Sequence, residues 1–278
     1  MDTLNTDACL IEPKDSEAYE PGQLVCRIQS FTPGGFEGVV YSRDRDAYRY
    51  NPLGIISGKE RKTDPAEKAI ENARRAKRTV RCKAREIGVD HLMTLTTRER
   101  ENDPIQLMDR FAKFIHSYLR ATGKTLLYVA VPEPHPSNVA HWHIHAAIKG
   151  RINLRVANAI WWRLCGGRGM GNVDIRGPRG RSDLAKTEKI ARYISKYITK
   201  GFDVAFPFEG RRRFRSSIVA LLPKQKMIMR SRDFGRALSE LLERLNLFRG
   251  DLRVFYFPDG SGFWFSCSGN VSVGTPPF

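Results

Sequence analysis

Apolar residues recur along this chain with two periods, and the changes of period mark its elements. Ile70, Ala73, Val80 and Ile87 return at helical spacing behind Asp64-Pro65-Ala66-Glu67. That tetrad offers an N-cap, a proline at the first helical position and a glutamate closing a capping box, so a helix over 64–87 is predicted. His91–Thr97 then alternates and is rich in β-formers, the pattern of a strand. Asp103-Pro104-Ile105-Gln106 repeats the capping pattern and opens a second helix with Met108, Phe111, Ile115 and Tyr118 inward, ended by Thr122-Gly123. Leu126–Val131 reads as a buried strand, 133–138 as a turn, and His141–Ile148 as the next strand. Asn153–Cys165 is helical with Val156, Ile160 and Leu164 inward, and Asn172–Arg176 is a short strand. A last helix, capped by Thr187 and ended by Gly201, carries Tyr193 and Tyr197.

The order β-α-β-β-α-β predicts an α+β fold, a ferredoxin-like antiparallel sheet with helices on one face and the 141–148 strand central. The tyrosine helix is an addition able to pack across the open face. Residues 1–62 read as an irregular, weakly stranded extension with short alternating runs at Leu24–Ile28 and Gly38–Tyr41. The nuclease-sized segment 63–225, with basic helix 64–87, is followed over 226–278 by a helix around Asp233–Leu247 and a hairpin near Leu252–Cys267.

Charge changes the picture. The chain has 278 residues with 47 Lys+Arg against 30 Asp+Glu, a net charge of +17, which points to a polyanionic partner. Arg74, Arg78, Arg81 and Arg85 line one side of the first helix, positioned for a phosphate backbone, and Arg211, Arg212, Arg213 and Arg215 form a second cluster. Five scattered cysteines with no CxxC argue against a disulfide framework or a cysteine zinc site. The N-terminus has no apolar signal region and no apolar run reaches membrane-spanning length, so a cytosolic protein with no membrane partner is expected.

Candidate chemistry sits in two places. His141, His143 and His145 alternate on a strand and so point one way, with His135 close by, a pattern that can grip one cation. Trp142 and Ile144 face the other side. Glu133 ends the neighbouring strand and offers a hard oxygen ligand. Two imidazoles and a carboxylate leave positions open for a phosphate oxygen and suit Mg²⁺ or Mn²⁺. A zinc finger lacks its cysteines, and a helical HExxH metalloprotease lacks its spacing. The second place is Tyr193-Ile194-Ser195-Lys196, repeated as Tyr197-Ile198-Thr199-Lys200. Tyrosines four apart share a helix face, and Lys196 and Lys200 lie at its edge, where cations favour a nucleophilic phenolate.

These motifs resemble the HUH endonucleases, specifically two-tyrosine rolling-circle replication initiators of single-stranded DNA phages and plasmids. Leu92-Met93-Thr94-Leu95-Thr96 resembles the first family motif, His143-Ile144-His145 the second and Tyr193-Ile194-Ser195-Lys196-Tyr197 the third. The resemblance covers roughly residues 70–220. It implies His143, His145 and Glu133 as metal ligands, with His141 as the alternative, and Tyr193 and Tyr197 as nucleophiles that form a 5′-phosphotyrosine. The substrate would be single-stranded or hairpin origin DNA. Lys196 and Lys200 would stabilise phenolate or phosphate charge. Histidines before tyrosines match replication proteins, whereas conjugative relaxases usually show the reverse order. A transposase of the same class, and a non-catalytic nucleic-acid-binding protein or repressor on the same scaffold, are the alternatives. No Gly-x-x-x-x-Gly-Lys-Ser/Thr loop occurs, so a separate helicase, with a polymerase, would come from a bacterial host.

Overall fold

Asp103 caps the helix that follows it. In the computed structural model its carboxylate accepts from the N–H groups of Ile105 (2.8 Å) and Gln106 (3.2 Å). That helix ends on Gly123 at φ 67°, whose N–H donates to the Leu119 carbonyl. The structure describes residues 22–42, 65–135, 138–178, 182–203, 213–245, 252–258 and 260–267. In chain order the described elements are β1 (Leu24–Ser30), β2 (Phe36–Ser42), α1 (Pro65–Ile87), β3 (His91–Thr97), α2 (Pro104–Thr122), β4 (Tyr128–His135), β5 (Asn138–Ile148), α3 (Leu154–Leu164), β6 (Gly171–Arg176), α4 (Asp183–Asp203), β7 (Arg215–Ser216), β8 (Gln225–Ile228), α5 (Phe234–Arg244), β9 (Leu252–Tyr256) and β10 (Gly262–Cys267). The fold is mixed α+β, and its contacts divide the chain into two units: 62–221, and 1–61 joined with 222–278.

The first unit is built on an antiparallel sheet of order β6-β3-β5-β4-β7, with β5 between β3 and β4. The period-2 alternation of β5 divides its side chains between two cores. Trp142, Ile144, Ala146 and Ile148 join Met93 and Leu95 of β3 against Leu107, Phe111 and Phe114 of α2 and Trp161 of α3. Fully burying such a side chain contributes about 1.5–3 kcal/mol, so this layer dominates the unit's stability. The opposite face is covered too. Ala147 and the β4 residues Val129 and Val131 pack against Val80, Ala84 and Ile87 of α1 and Ile190, Ile194 and Ile198 of α4. The sheet therefore has helices on both faces, with the basic helix and the tyrosine helix side by side on one of them.

Two boundaries differ from expectation in ways that matter for the site. β4 does not stop at Val131 but continues through Pro132, Glu133 and Pro134 to His135, pairing Glu133 with His143. Prolines obscure this in sequence because they lack a ladder donor, yet β7 reaches β4 only at Val129 and Ala130, beside the N-terminal half of the strand. Likewise, α4 begins at Asp183, with Ser182 Oγ accepting from the Ala185 N–H (3.2 Å). Thr187, expected as the cap, is instead buried inside the helix and donates to the Val89 carbonyl (2.8 Å).

The second unit carries an antiparallel sheet of order β8-β1-β2-β10-β9. One face packs Leu24, Ile28, Val40, Phe263 and Phe265 against Ala237 and Leu241 of α5. Gly38 is required there, because a Cβ would lie 2.3 Å from Phe265 Cζ. The N-terminal runs read as weak strands are thus full seven-residue strands whose partners, β8 and β10, lie about two hundred residues away along the chain.

Candidate metal centre and tyrosine pair

Strand register builds the centre. Glu133 on β4 sits opposite His143 on β5, and Thr94 on β3 sits opposite His145. These side chains share the face that α4 covers, because residues two apart on a strand point the same way. His145 Nε2 lies 2.8 Å from Glu133 Oε2 and 3.0 Å from His143 Nε2, and His143 Nε2 lies 3.3 Å from the same carboxylate oxygen. All three residues are buried. Three ligand atoms converging on one point form a possible metal-binding triad.

The neighbours decide which ring nitrogens are available. Thr94 Oγ1 lies 3.1 Å from His145 Nδ1. With Nδ1–H donating to the threonine, His145 Nε2 keeps its lone pair for a cation. His143 Nδ1 is buried and has no hydrogen-bond partner among the described residues. His141 behaves differently. Its Nδ1 accepts from the Glu101 N–H (3.0 Å), and the neighbouring Trp142 N–H donates to the Glu101 carbonyl (2.7 Å). Burial, then His135 and His143, lower the His141 pKa, so the ring is neutral with its remaining proton on Nε2. His141 therefore lies outside the triad and pins the 98–103 loop to β5. Arg110 tightens that loop by donating to Glu101 Oε2 (2.7 Å).

The tyrosines come from α4. Its buried stripe of Ile190, Ile194 and Ile198 seats the helix on the sheet and turns Tyr197 toward the histidines. The Tyr197 ring lies flat on His145, with centroids 4.2 Å apart and planes 18° apart. Tyr193, one turn earlier, meets Tyr197 edge-on at 4.8 Å. Tyr197 is 8% exposed and Tyr193 46%. Burial pushes the Tyr197 phenol above its ordinary pKa, and the hydrogen bond with Tyr193, then the charges of Tyr193 and Glu133, act in the same direction. Lys196 is exposed, and the side chain of Lys200 lies outside the described residues.

The expected DNA contacts divide. Arg74 is exposed, and Arg78 and Arg81 are half-buried. Arg85 is buried and pairs with Glu188 of α4 at 3.3 Å, both side chains being 4% exposed. Its place is the α1–α4 seam and not the helix's outer side. Arg213 is half-buried, which lowers its pKa, and Arg215 is ion-paired with Asp109 of α2. Arg211 and Arg212 lie outside the described residues. Sequence reasoning missed the roles of Thr94, Glu101 and Glu188. Each depends on strand pairing or helix packing, and only the alternation of β3 hinted at the face Thr94 occupies.

Fold and site together define an α+β unit with a possible metal triad beneath a tyrosine pair. Residues 90–202, from the start of β3 almost to the end of α4, match the family of the replication-associated protein ORF2. That segment holds the whole triad and both tyrosines. No curated protein and no solved structure matches the chain. Among the described residues, no helix is long and apolar enough to cross a membrane.

Proposed function

We propose that this protein initiates rolling-circle replication by nicking and rejoining single-stranded origin DNA through a 5′-phosphotyrosine. The observation that carries the reading is the seating of Tyr197 flat on His145, one ligand of the Glu133–His143–His145 triad. The match of residues 90–202 to a replication-associated family supports the replication context. The strand order β6-β3-β5-β4 with two crossover helices supports a ferredoxin-like HUH scaffold, and we assign the nicking activity to this unit.

The donor set of two imidazoles and a carboxylate fits Mg²⁺ or Mn²⁺, which when bound there supplies Lewis-acid polarisation of a phosphoryl oxygen. The chain's own groups supply the rest. Thr94 holds His145 in the tautomer that leaves Nε2 free. Burial keeps the Tyr197 phenol protonated until positive charge arrives, which guards against untimely attack. In the reaction the phenolic oxygen bonds to phosphorus and the 3′ oxygen departs. The proton lost by the phenol is matched by one gained on the 3′ hydroxyl. The ester retains the energy of the broken bond, so a 3′ hydroxyl can reverse the step and join strands. Tyr193 acts in the second transfer, after a host polymerase and helicase have copied the circle in the cytoplasm. Lys196 and Lys200 stabilise phosphate or phenolate charge, and Arg74, Arg78, Arg81 and the 211–215 cluster hold hairpin or duplex backbone.

A labelled single-stranded oligonucleotide carrying the origin, incubated with the protein and Mn²⁺, tests this. A denaturation-resistant labelled protein band is expected, absent with chelator. Binding without any such band would instead assign the chain to a non-catalytic binding role.

A further inference from the structure

The β8-β1-β2-β10-β9 sheet has a second face that the nicking reading leaves unused. Strand register places Lys226, Arg27, Val39, Trp264 and Phe255 in one row across all five strands. Their neighbours in sequence point into the α5 core, so these five side chains share the opposite face. At a strand spacing of about 4.8 Å the row spans roughly 19 Å. It is open along its length: Arg27 is exposed, Phe255 is 60% exposed, and Lys226, Val39 and Trp264 are partly exposed. The flanking rows are closed. Gln29, Glu37 and Ser266 are buried on one side, and Val25 and Tyr41 on the other. The Arg27 guanidinium lies 5.3 Å over the Tyr41 ring, which fixes it at the edge of the strip.

An exposed cross-strand strip with two cations at one end and two aromatic rings at the other suits a ligand that offers phosphates and flat bases together. Duplex DNA presents phosphates but hides its bases, and an acidic peptide has no rings to stack. Single-stranded DNA presents both. We propose that this strip is a second nucleic-acid site, a sequence-tolerant stacking platform for single-stranded DNA. Trp264 and Phe255 take the bases, and Arg27 and Lys226 take the phosphates. Such a platform suits a protein whose reaction exposes a displaced strand. It predicts binding without cleavage, and so stands or falls apart from the nicking chemistry.

The test uses the full chain in chelator with labelled oligo-dT, which has no origin sequence. Trp264→Leu and Phe255→Leu keep apolar bulk at exposed positions and remove stacking. Each is expected to weaken oligo-dT binding about tenfold. Arg27→Gln with Lys226→Gln is expected to flatten the salt dependence. Photo-crosslinking of bromodeoxyuridine oligonucleotides to the unaltered chain is expected to label the peptides holding Trp264 or Phe255, a readout that needs no variant to fold. Crosslinks confined to the tyrosine-helix peptides, or affinities unchanged within twofold, would overturn the proposal. Equal affinity for duplex and single strand would reduce the strip to a charge patch. Self-association abolished in Phe255→Leu, with no effect on oligo-dT, would assign the strip to a second copy of the chain.

Discussion

His141, His143 and His145 are indistinguishable by alternation, and what separates them is the partner of each ring. His141 gives its lone pair to the Glu101 N–H, whereas His143 and His145 aim Nε2 at Glu133. His143→Ala and His145→Ala are therefore expected to abolish Mn²⁺ binding by calorimetry with the fold retained, and His141→Ala to keep it. Loss in His141→Ala with retention in His145→Ala would reverse the assignment. Thr94 makes a finer claim. Removing its hydroxyl frees the His145 ring to change tautomer and tilt, so Thr94→Val is expected to lower metal affinity about 10–100-fold while Thr94→Ser restores it. Equal affinity in all three proteins would mean that Thr94 only fills space.

At the scale of elements, the tyrosine helix is held by more than its apolar stripe. Arg85 and Glu188 meet in the buried α1–α4 seam, and Arg192 reaches the same glutamate at 3.6 Å. Removing one member leaves an uncompensated buried charge, so Glu188→Ala is expected to cost about 3–5 kcal/mol in denaturant unfolding. Replacing both, as Arg85→Met with Glu188→Leu, is expected to recover most of it. A double variant as unstable as the single would show that the loss is one of packing and not of charge. Much of the first unit is legible in the sequence, because Asp103, Pro104 and Gly123 are local signals and β3, α2 and α3 carry clean periodicity. The His-Ile-His register and the tyrosine spacing are legible for the same reason. What escapes is non-local. Glu133 lies beyond a proline that reads as the end of β4, Arg85 resembles its surface neighbours until α4 packs on it, and β1 and β2 lack partners nearby in sequence.

Across the whole molecule, a net charge of +17 makes DNA affinity a steep function of salt. Arg74, Arg78 and Arg81 are outward members of α1. Their joint replacement by Ala is expected to reduce the slope of log affinity against log salt, by about 0.7 for each single-strand phosphate that these arginines neutralise. An unchanged slope would place the phosphate-binding residues elsewhere and leave this side of α1 merely solvated. The central claim is that the two phenols of α4, stacked in series on a triad histidine, both form the covalent link to DNA. Mass spectrometry of the protein–oligonucleotide adduct tests it most directly. Adducts are expected on both Tyr193 and Tyr197 in the unaltered chain, on the remaining tyrosine in Tyr193→Phe and Tyr197→Phe, and on neither in the double variant. Each single variant is also expected to fail to release closed circles. DNA found on one tyrosine alone, with normal circles from the other's Phe variant, would contradict the two-tyrosine account, and no adduct under any condition would contradict the nicking reading itself.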